Sequence, residues 1–320
     1  MEPASSAAER SRERAGGSRG ARTLLSPELV AKLDRLRLSV RRALGTRPGQ
    51  TPMPHGSQGS GIELESYRTY TPGDDLRHLD WNAYGRLDQL LIKAFRAERE
   101  APLHLFVDCS ASMGFPESDD KLGRAAALAA SLAYISVSNH DPVRIVSLSA
   151  ALPRAHVASP FCRHRQAMAR LLDFAGELKP AGETALARGI SQAAQSHPTA
   201  GVAIVLSDFL MPPREYESAL GELLARGYTV SAIRVLGPGE RQPETIFRRG
   251  RIVDAESGAE RFVALSPANL ERYRHALASH LAALRSFCLR AGVAFAVADT
   301  AEGLEESLFK QLPAAGTLRT

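Results

Sequence analysis

The sequence predicts an α/β protein: a doubly wound, mostly parallel sheet with helices on both faces, preceded by an N-terminal helix and a charged segment. Two observations carry this. From residue 102 onward, strand-like runs alternate with helix-like ones, the pattern of a parallel sheet covered on both sides. Val202–Leu206 is an uninterrupted apolar run, as in strands buried on both faces. A chain of 320 residues with 44% hydrophobic residues holds one large α/β domain or two smaller ones.

Residues 1–24 are rich in Ser, Arg, Glu, Gly and Ala, which predicts a disordered basic tail. A helix is predicted from Ser26, with Ser26 as cap, Pro27 at the first helical position and Glu28 favourable to the dipole. Leu29, Leu33, Leu36, Val40 and Leu44 recur at helical spacing up to a stop at Gly45. Its other face carries Lys32, Arg35, Arg37, Arg41 and Arg42, and the helix is expected to dock on the main domain. Residues 46–60 read as a Gly/Pro-rich linker, and residues 61–100 are dense in charged and aromatic side chains, with a strand at Leu90–Phe95. Residues 25–100 are thus read as one N-terminal region, 101–312 as the main domain and 313–320 as a tail.

In the main domain Leu103–Val107 reads as a strand, residues 120–138 as an Ala-rich helix and Val143–Leu148 as a strand, followed by an extended piece near 154–158. Helices near 163–177 and 184–196 precede the strand Val202–Leu206. A helix near 213–226 leads to the strand Tyr228–Leu236. Arg251–Asp254 and Glu260–Ala264 form a hairpin around Ser257-Gly258. Ser266-Pro267 opens a long helix that Gly292 stops, before a strand at Val293–Val297 and a last helix near 302–311.

The pI of 9.3 is a local property. Residues 1–47 hold 11 Lys and Arg against 5 Asp and Glu, a net +6. With the whole chain at +5, residues 48–320 come to −1, so the globular part is nearly neutral. Cys109, Cys162 and Cys288 are few, odd in number and widely spaced, which fits a reducing compartment. No secretory signal is read at the N-terminus. The best apolar run, Ala125–Val137, falls short of the roughly 18 residues that span a bilayer and reads as a buried helix. A cytoplasmic protein is expected. No Gly-x-Ser-x-Gly elbow or Gly-x-x-x-x-Gly-Lys phosphate loop occurs. Cys162 and His164 lack a second pair at zinc-ligand spacing.

The chemistry concentrates at Asp108-Cys109-Ser110-Ala111-Ser112, directly after the first main-domain strand. One carboxylate and two hydroxyls leave a strand tip on alternate residues. A hard divalent cation such as Mg²⁺ takes oxygen ligands in octahedral geometry and keeps several waters. Thr184, in a Gly-containing loop that opens a helix, and Asp208, directly after the most apolar strand, would reach the same rim, where ligands bind in open α/β sheets. The bland alternative has Asp108 capping a turn and the hydroxyls satisfying backbone groups.

Asp108, Ser110, Ser112, Thr184 and Asp208 together resemble the metal-ion-dependent adhesion site of the von Willebrand factor A fold, a Rossmann-like architecture. The resemblance implies that Ser110, Ser112 and Thr184 hold Mg²⁺, or another divalent cation such as Mn²⁺, through hydroxyls. Asp108 and Asp208 would act mostly through water. One coordination position would stay open for an acidic side chain of a client protein, which implies binding without catalysis.

The preceding segment, Glu63 to Trp81, contains Tyr67, Arg68, Tyr70, Gly73, Asp74, Asp75, Arg77, Asp80 and Trp81. It resembles the signature box of a large bacterial family of unknown function that carries a von Willebrand A-like domain after the box. That family is often encoded beside MoxR-type AAA+ ATPases. Arg86, Lys93 and Glu98 fall where it carries charges, and Leu64 departs from its usual Phe. Arg68 and Arg77 can pair with Asp74, Asp75 or Asp80, Trp81 is read as an anchor on the main domain, and the box is either a brace or a docking surface. The resemblance implies a chaperone-like partner of a MoxR-type ATPase in assembling or maturing protein complexes. Two other readings stand beside it. One is a phosphatase-like Mg²⁺-dependent hydrolase with Asp108 as nucleophile, against which Ser110 stands where the acid/base carboxylate is needed. The other is a basic arm that binds nucleic acid or another acidic surface.

Overall fold

The computed structural model describes residues 24–38, 62–72, 76, 79–97, 101–196, 200–256 and 258–319. The expectations for residues 1–23, for the linker at 46–60 and for Gly73, Asp74, Asp75, Arg77 and Glu98 lie outside the described residues. The chain divides into two units, residues 1–42 with 101–320, and residues 43–100. The predicted N-terminal helix therefore belongs to the larger unit and not with the box.

In the larger unit, α1 (Pro27–Leu33) precedes a two-residue strand β1 (Arg37–Leu38). The smaller unit contains β2 (Ile62–Thr69), α2 (Trp81–Leu87) and β3 (Leu91–Ala97). The larger unit resumes with β4 (Leu103–Asp108), α3 (Lys121–Ser138), β5 (Val143–Leu148), β6 (His156–Ala158), α4 (Met168–Gly176) and α5 (Leu186–Gln195). It continues with β7 (Val202–Ser207), α6 (Pro213–Ala225), β8 (Thr229–Leu236), α7 (Pro238–Arg241), β9 (Arg249–Val253), β10 (Glu260–Ala264), α8 (Pro267–Ala291) and β11 (Ala294–Asp299). A helical segment from Leu304 to Ala314, with a π-type turn at Ser307–Gln311, leads to β12 (Leu318–Arg319).

Six strands form one sheet in the order β11-β8-β7-β4-β5-β6. All neighbours are parallel except β6, which runs antiparallel to β5. The doubly wound sheet is as the alternation predicts. Every residue of β4, β5 and β7 is buried, so each strand serves two faces. Leu103, Leu105 and Val107 pack with α1, α3 and α4, whereas Phe106 packs with Leu186, Ile190, Tyr216 and Leu220 on the opposite face. After β4 the chain moves outward to β5, then returns to place β7 on the other side of β4. The strand order reverses between β4 and β7, and the crevice beyond their carboxyl ends is where such a fold binds ligands.

Helix α1 starts as predicted, with Leu29 N donating to Ser26 Oγ (3.2 Å), and it docks through buried Leu29 and Leu33. It does not run on to Gly45. It ends at Leu33, and β1 pairs antiparallel with β12, so the segment expected as a C-terminal tail contains a strand. Helix α8 begins at Ser266 and ends at Gly292, as read from the sequence.

In the smaller unit β2 pairs antiparallel with β3, with an irregularity between Leu64 and Ser66. Asp80 caps α2, accepting from Asn82 N (2.9 Å) and Ala83 N (3.1 Å). Tyr70 N donates to Leu90 O (2.8 Å), which holds the start of the connection beside β3. Trp81 is 65% exposed, and its ring lies edge-on to Tyr84 at 6.4 Å.

Candidate functional site

The tip of β4 is bent by its own carboxylate. Ser110 N donates to Asp108 Oδ1 (2.9 Å), so the chain curls back directly after the strand. A 3₁₀ turn at Ala111–Gly114 follows and brings Ser112 Oγ to 3.0 Å from Ser110 Oγ. Adjacent oxygens around an octahedral Mg²⁺ with bonds of about 2.1 Å stand about 3.0 Å apart, so this spacing suits two neighbouring ligands.

Thr184 is delivered by a loop laced to two strand tips. Ala181 N donates to Cys109 O (2.9 Å), Ala111 N to Gly182 O (2.9 Å) and Ala150 N to Glu183 O (2.9 Å). Ser149 Oγ also donates to Ala181 O. Gly182 has φ +71°, and a Cβ there would stand 2.8 Å from Ala151 N, so only glycine allows this approach.

Asp208 arrives through a strained turn. Phe209 is fully buried at φ +51°, a conformation costing about 1–3 kcal/mol for a non-glycine residue. The cost is offset by burial and by hydrogen bonds from Phe209 N to Ser207 Oγ (2.9 Å) and from Leu210 N to Asp208 Oδ1 (3.2 Å). Ser207 Oγ also donates to Asp108 Oδ2 (2.6 Å), joining the two tips. Both oxygens of Asp108 are therefore engaged within the fold.

The two carboxylates differ in how their charge is met. Asp108 is buried, and its carboxyl is pushed up to about 6, first by burial and then by the negative charge of Asp208. Asp208 Oδ2 instead pairs with buried Lys121 Nζ at 2.9 Å. Lys121 also meets Glu240 Oε1 at 2.5 Å, and Glu240 Oε2 meets Arg234 at 3.1 Å. These two acids and two bases are neutral as a set. Burial works against the Lys121 ammonium, but the charges of Asp208 and Glu240 outweigh it and hold its pKa above the ordinary value.

Asp108, Ser110, Ser112 and Asp208 thus lie at the tips of β4 and β7, and Thr184 lies in a loop held against the tips of β4 and β5. The oxygen-only donor set and the under-compensated charge at Asp108 fit a hard divalent cation. Among the described residues no group of three or more His, Cys, Asp or Glu is placed to hold a metal, so such a site depends on the hydroxyls.

Residues 66–302 match the family described as Protein of unknown function DUF58. The chain belongs to this family. Three uncharacterized proteins, one from Mycobacterium bovis and two from strains of Mycobacterium tuberculosis, are each 30% identical over 265 residues, covering 80% of both chains. Among solved structures, BatB from Bacteroides thetaiotaomicron is similar at 14% identity and a TM-score of 0.42, over 67% of this chain and 98% of that one. A von Willebrand factor type A protein from Catenulispora acidiphila is similar at 19% identity and a TM-score of 0.30, over 46% of this chain and 35% of that one.

Of the box residues, Arg68 lies in β2 opposite Ile92, Arg86 is exposed in the last turn of α2, and Lys93 lies in β3 opposite Tyr67. Four residues of the larger unit that the sequence reading missed complete the rim. Lys121, Ser207 and Glu240 balance or bind the two carboxylates. Glu256, in the β9–β10 turn, accepts from Thr184 Oγ1 (2.8 Å) and Thr184 N (3.1 Å). Ser207 was the one with a visible signal, since it sits beside Asp208 at the end of an apolar strand.

Proposed function

We propose that this DUF58-family chain is a Mg²⁺-dependent protein-interaction module. The observation that carries the reading is the 3.0 Å approach of the Ser110 and Ser112 hydroxyls beside Asp108, with Asp208 linked to Asp108 through Ser207 and Thr184 in a loop bonded to the β4 tip. When bound, Mg²⁺, or Mn²⁺ in its place, supplies an open coordination position for an external carboxylate. Ser110, Ser112 and Thr184 would offer hydroxyl oxygens, while Asp108 would supply charge. With Asp208 compensated by Lys121, and apart from the Glu256 carboxylate that engages Thr184, the rim carries little more than the charge of Asp108. A divalent cation there keeps a surplus positive charge that favours an incoming acid.

The reading is one of binding rather than catalysis. Ser110 stands where a second carboxylate would serve as acid or base, and both Asp108 oxygens are committed to Ser110 N and Ser207 Oγ. The partner proposed is a MoxR-type AAA+ ATPase, together with a client that supplies the acidic side chain, in the cytoplasm. No helix among the described residues is long and apolar enough to cross a membrane.

The test is a pull-down from native lysate with the intact chain and Ser110→Ala, each with Mg²⁺ and with EDTA. An AAA+ ATPase retained only by the intact chain with Mg²⁺ supports the reading. Retention of the same proteins in all four conditions contradicts it and shifts attention to the box or the basic arm.

A further inference from the structure

The hairpin β9–β10 is an insertion between β8 and α8 whose strands pair with each other and with no strand of the six-stranded sheet. Much of its surface is open: Phe262 is 76% exposed, and Ile252 and Val253 are also exposed. Its turn nevertheless reaches the metal rim. The turn is shaped locally, with Glu256 N donating to Asp254 Oδ1 (2.9 Å) and Gly258 N to Asp254 O (2.9 Å). The Glu256 carboxylate then takes both donors of Thr184, the hydroxyl and the backbone N–H. Thr184 is the site residue that the extra loop brings to the rim, so an acid from the same chain engages the rim where an acid from a partner is wanted.

Charge makes the two acids alternatives. The Asp208 set is neutral, so Asp108 and Glu256 together match the two charges of a divalent cation. A partner carboxylate added to both would leave negative charge in excess. Glu256 is also opposed by a like-charged neighbour. Glu215, in the first turn of α6, has its carboxyl held above the ordinary value by burial and by the charge of Glu256. Closure is thus a limited hold, made by two hydrogen bonds against a nearby acid.

We propose that the β9–β10 hairpin is an autoinhibitory strap in which Glu256 acts as an internal competitor for the rim, and that partners bind after it withdraws. The proposal rests on the metal-dependent reading above and adds how that site is regulated. Apparent affinity falls by the fraction of open chains, so a strap closed nine-tenths of the time lowers it about tenfold.

The experiment uses the full chain and Glu256→Gln, with Glu256→Ala as a second variant. Mn²⁺ binding is measured by electron paramagnetic resonance. A fluorescent peptide with a single glutamate flanked by glycines is titrated at saturating Mn²⁺, with its glutamine version as control. The expected result is Mn²⁺ bound by all three chains at saturation and about tenfold tighter glutamate-peptide binding in both variants. Equal peptide binding in all three chains, with Mn²⁺ bound, overturns the strap and leaves the metal reading standing. Mn²⁺ affinity that drops at least tenfold in both variants, with no gain in peptide binding, overturns it in favour of Glu256 as a resident ligand. No Mn²⁺ binding in any chain overturns the metal reading, and the strap with it.

Discussion

The two halves of the rim meet their negative charge in different ways. At the β4 tip, Asp108 is met by neutral donors, the Ser207 hydroxyl and the N–H and hydroxyl of Ser110, and its carboxyl is pushed up to about 6. At the β7 tip, Asp208 sits against a buried lysine within a neutral set of four charges. Buried carboxylates are stable when paired and costly when not. The β7 side is therefore built as structure, and the β4 side keeps a charge that protonation or, on the proposed reading, a bound cation relieves. That asymmetry is what separates a binding rim from a core salt bridge, although both use aspartate.

The largest effect is expected on the structural side. Lys121→Met leaves Asp208 and Glu240 without their shared cation, and removing one partner of a buried ion pair costs about 3–5 kcal/mol. Urea denaturation should show that loss, and a change below about 1 kcal/mol would mean that the network is not holding the β7 tip.

On the binding side the sign reverses. Asp108→Asn removes a buried, repelled charge while keeping the shape and one acceptor oxygen, its amide NH₂ now donating to Ser207 Oγ. The metal-free protein should gain about 1–3 kcal/mol near neutral pH, while its stabilisation by added Mg²⁺ disappears. A pH series sharpens the same contrast. The Asp108 carboxyl lies above its ordinary 3.8, so the folded state favours the protonated form. That contribution is complete below about pH 3.8 and is lost as pH rises through about 6. Metal binding needs the proton removed, so Mg²⁺ affinity should fall about tenfold per pH unit below about 6. Calorimetric titrations between about pH 5 and 8 check this, and a flat profile in the wild-type chain would break the comparison.

A smaller effect is expected in the loop that joins the halves. Gly182→Ala places a side chain in the left-handed region, which costs about 1–2 kcal/mol, and presses its Cβ on Ala151. Thr184 shifts with the loop, so Mg²⁺ affinity should fall as well as stability. Thr184→Ser keeps the hydroxyl and should change stability by less than about 0.5 kcal/mol, with metal affinity retained.

Much of this was legible in the chain. The central strands show as apolar runs because they are buried on both faces. The five oxygen residues show because each lies directly after such a run or in a Gly-containing loop before a helix. What stayed hidden depends on pairings remote in sequence. The continuation of α1 to Gly45 looked sound from Leu36, but Arg37 and Leu38 are claimed by β12 at the far end of the chain. Lys121 at a helix start and Glu240 in a Gly-Pro-Gly turn carry no local sign of pairing, and only the fold brings them together. The same holds for Glu256 and Thr184.

The most direct test of the central claim is Mn²⁺ binding followed by electron paramagnetic resonance, comparing the intact chain with Ser110→Ala. The metal reading requires one saturable ion per intact chain, displaced by Mg²⁺, and its loss in Ser110→Ala with the fold unchanged by circular dichroism. Equal binding by both chains, or none by the intact chain, would contradict it.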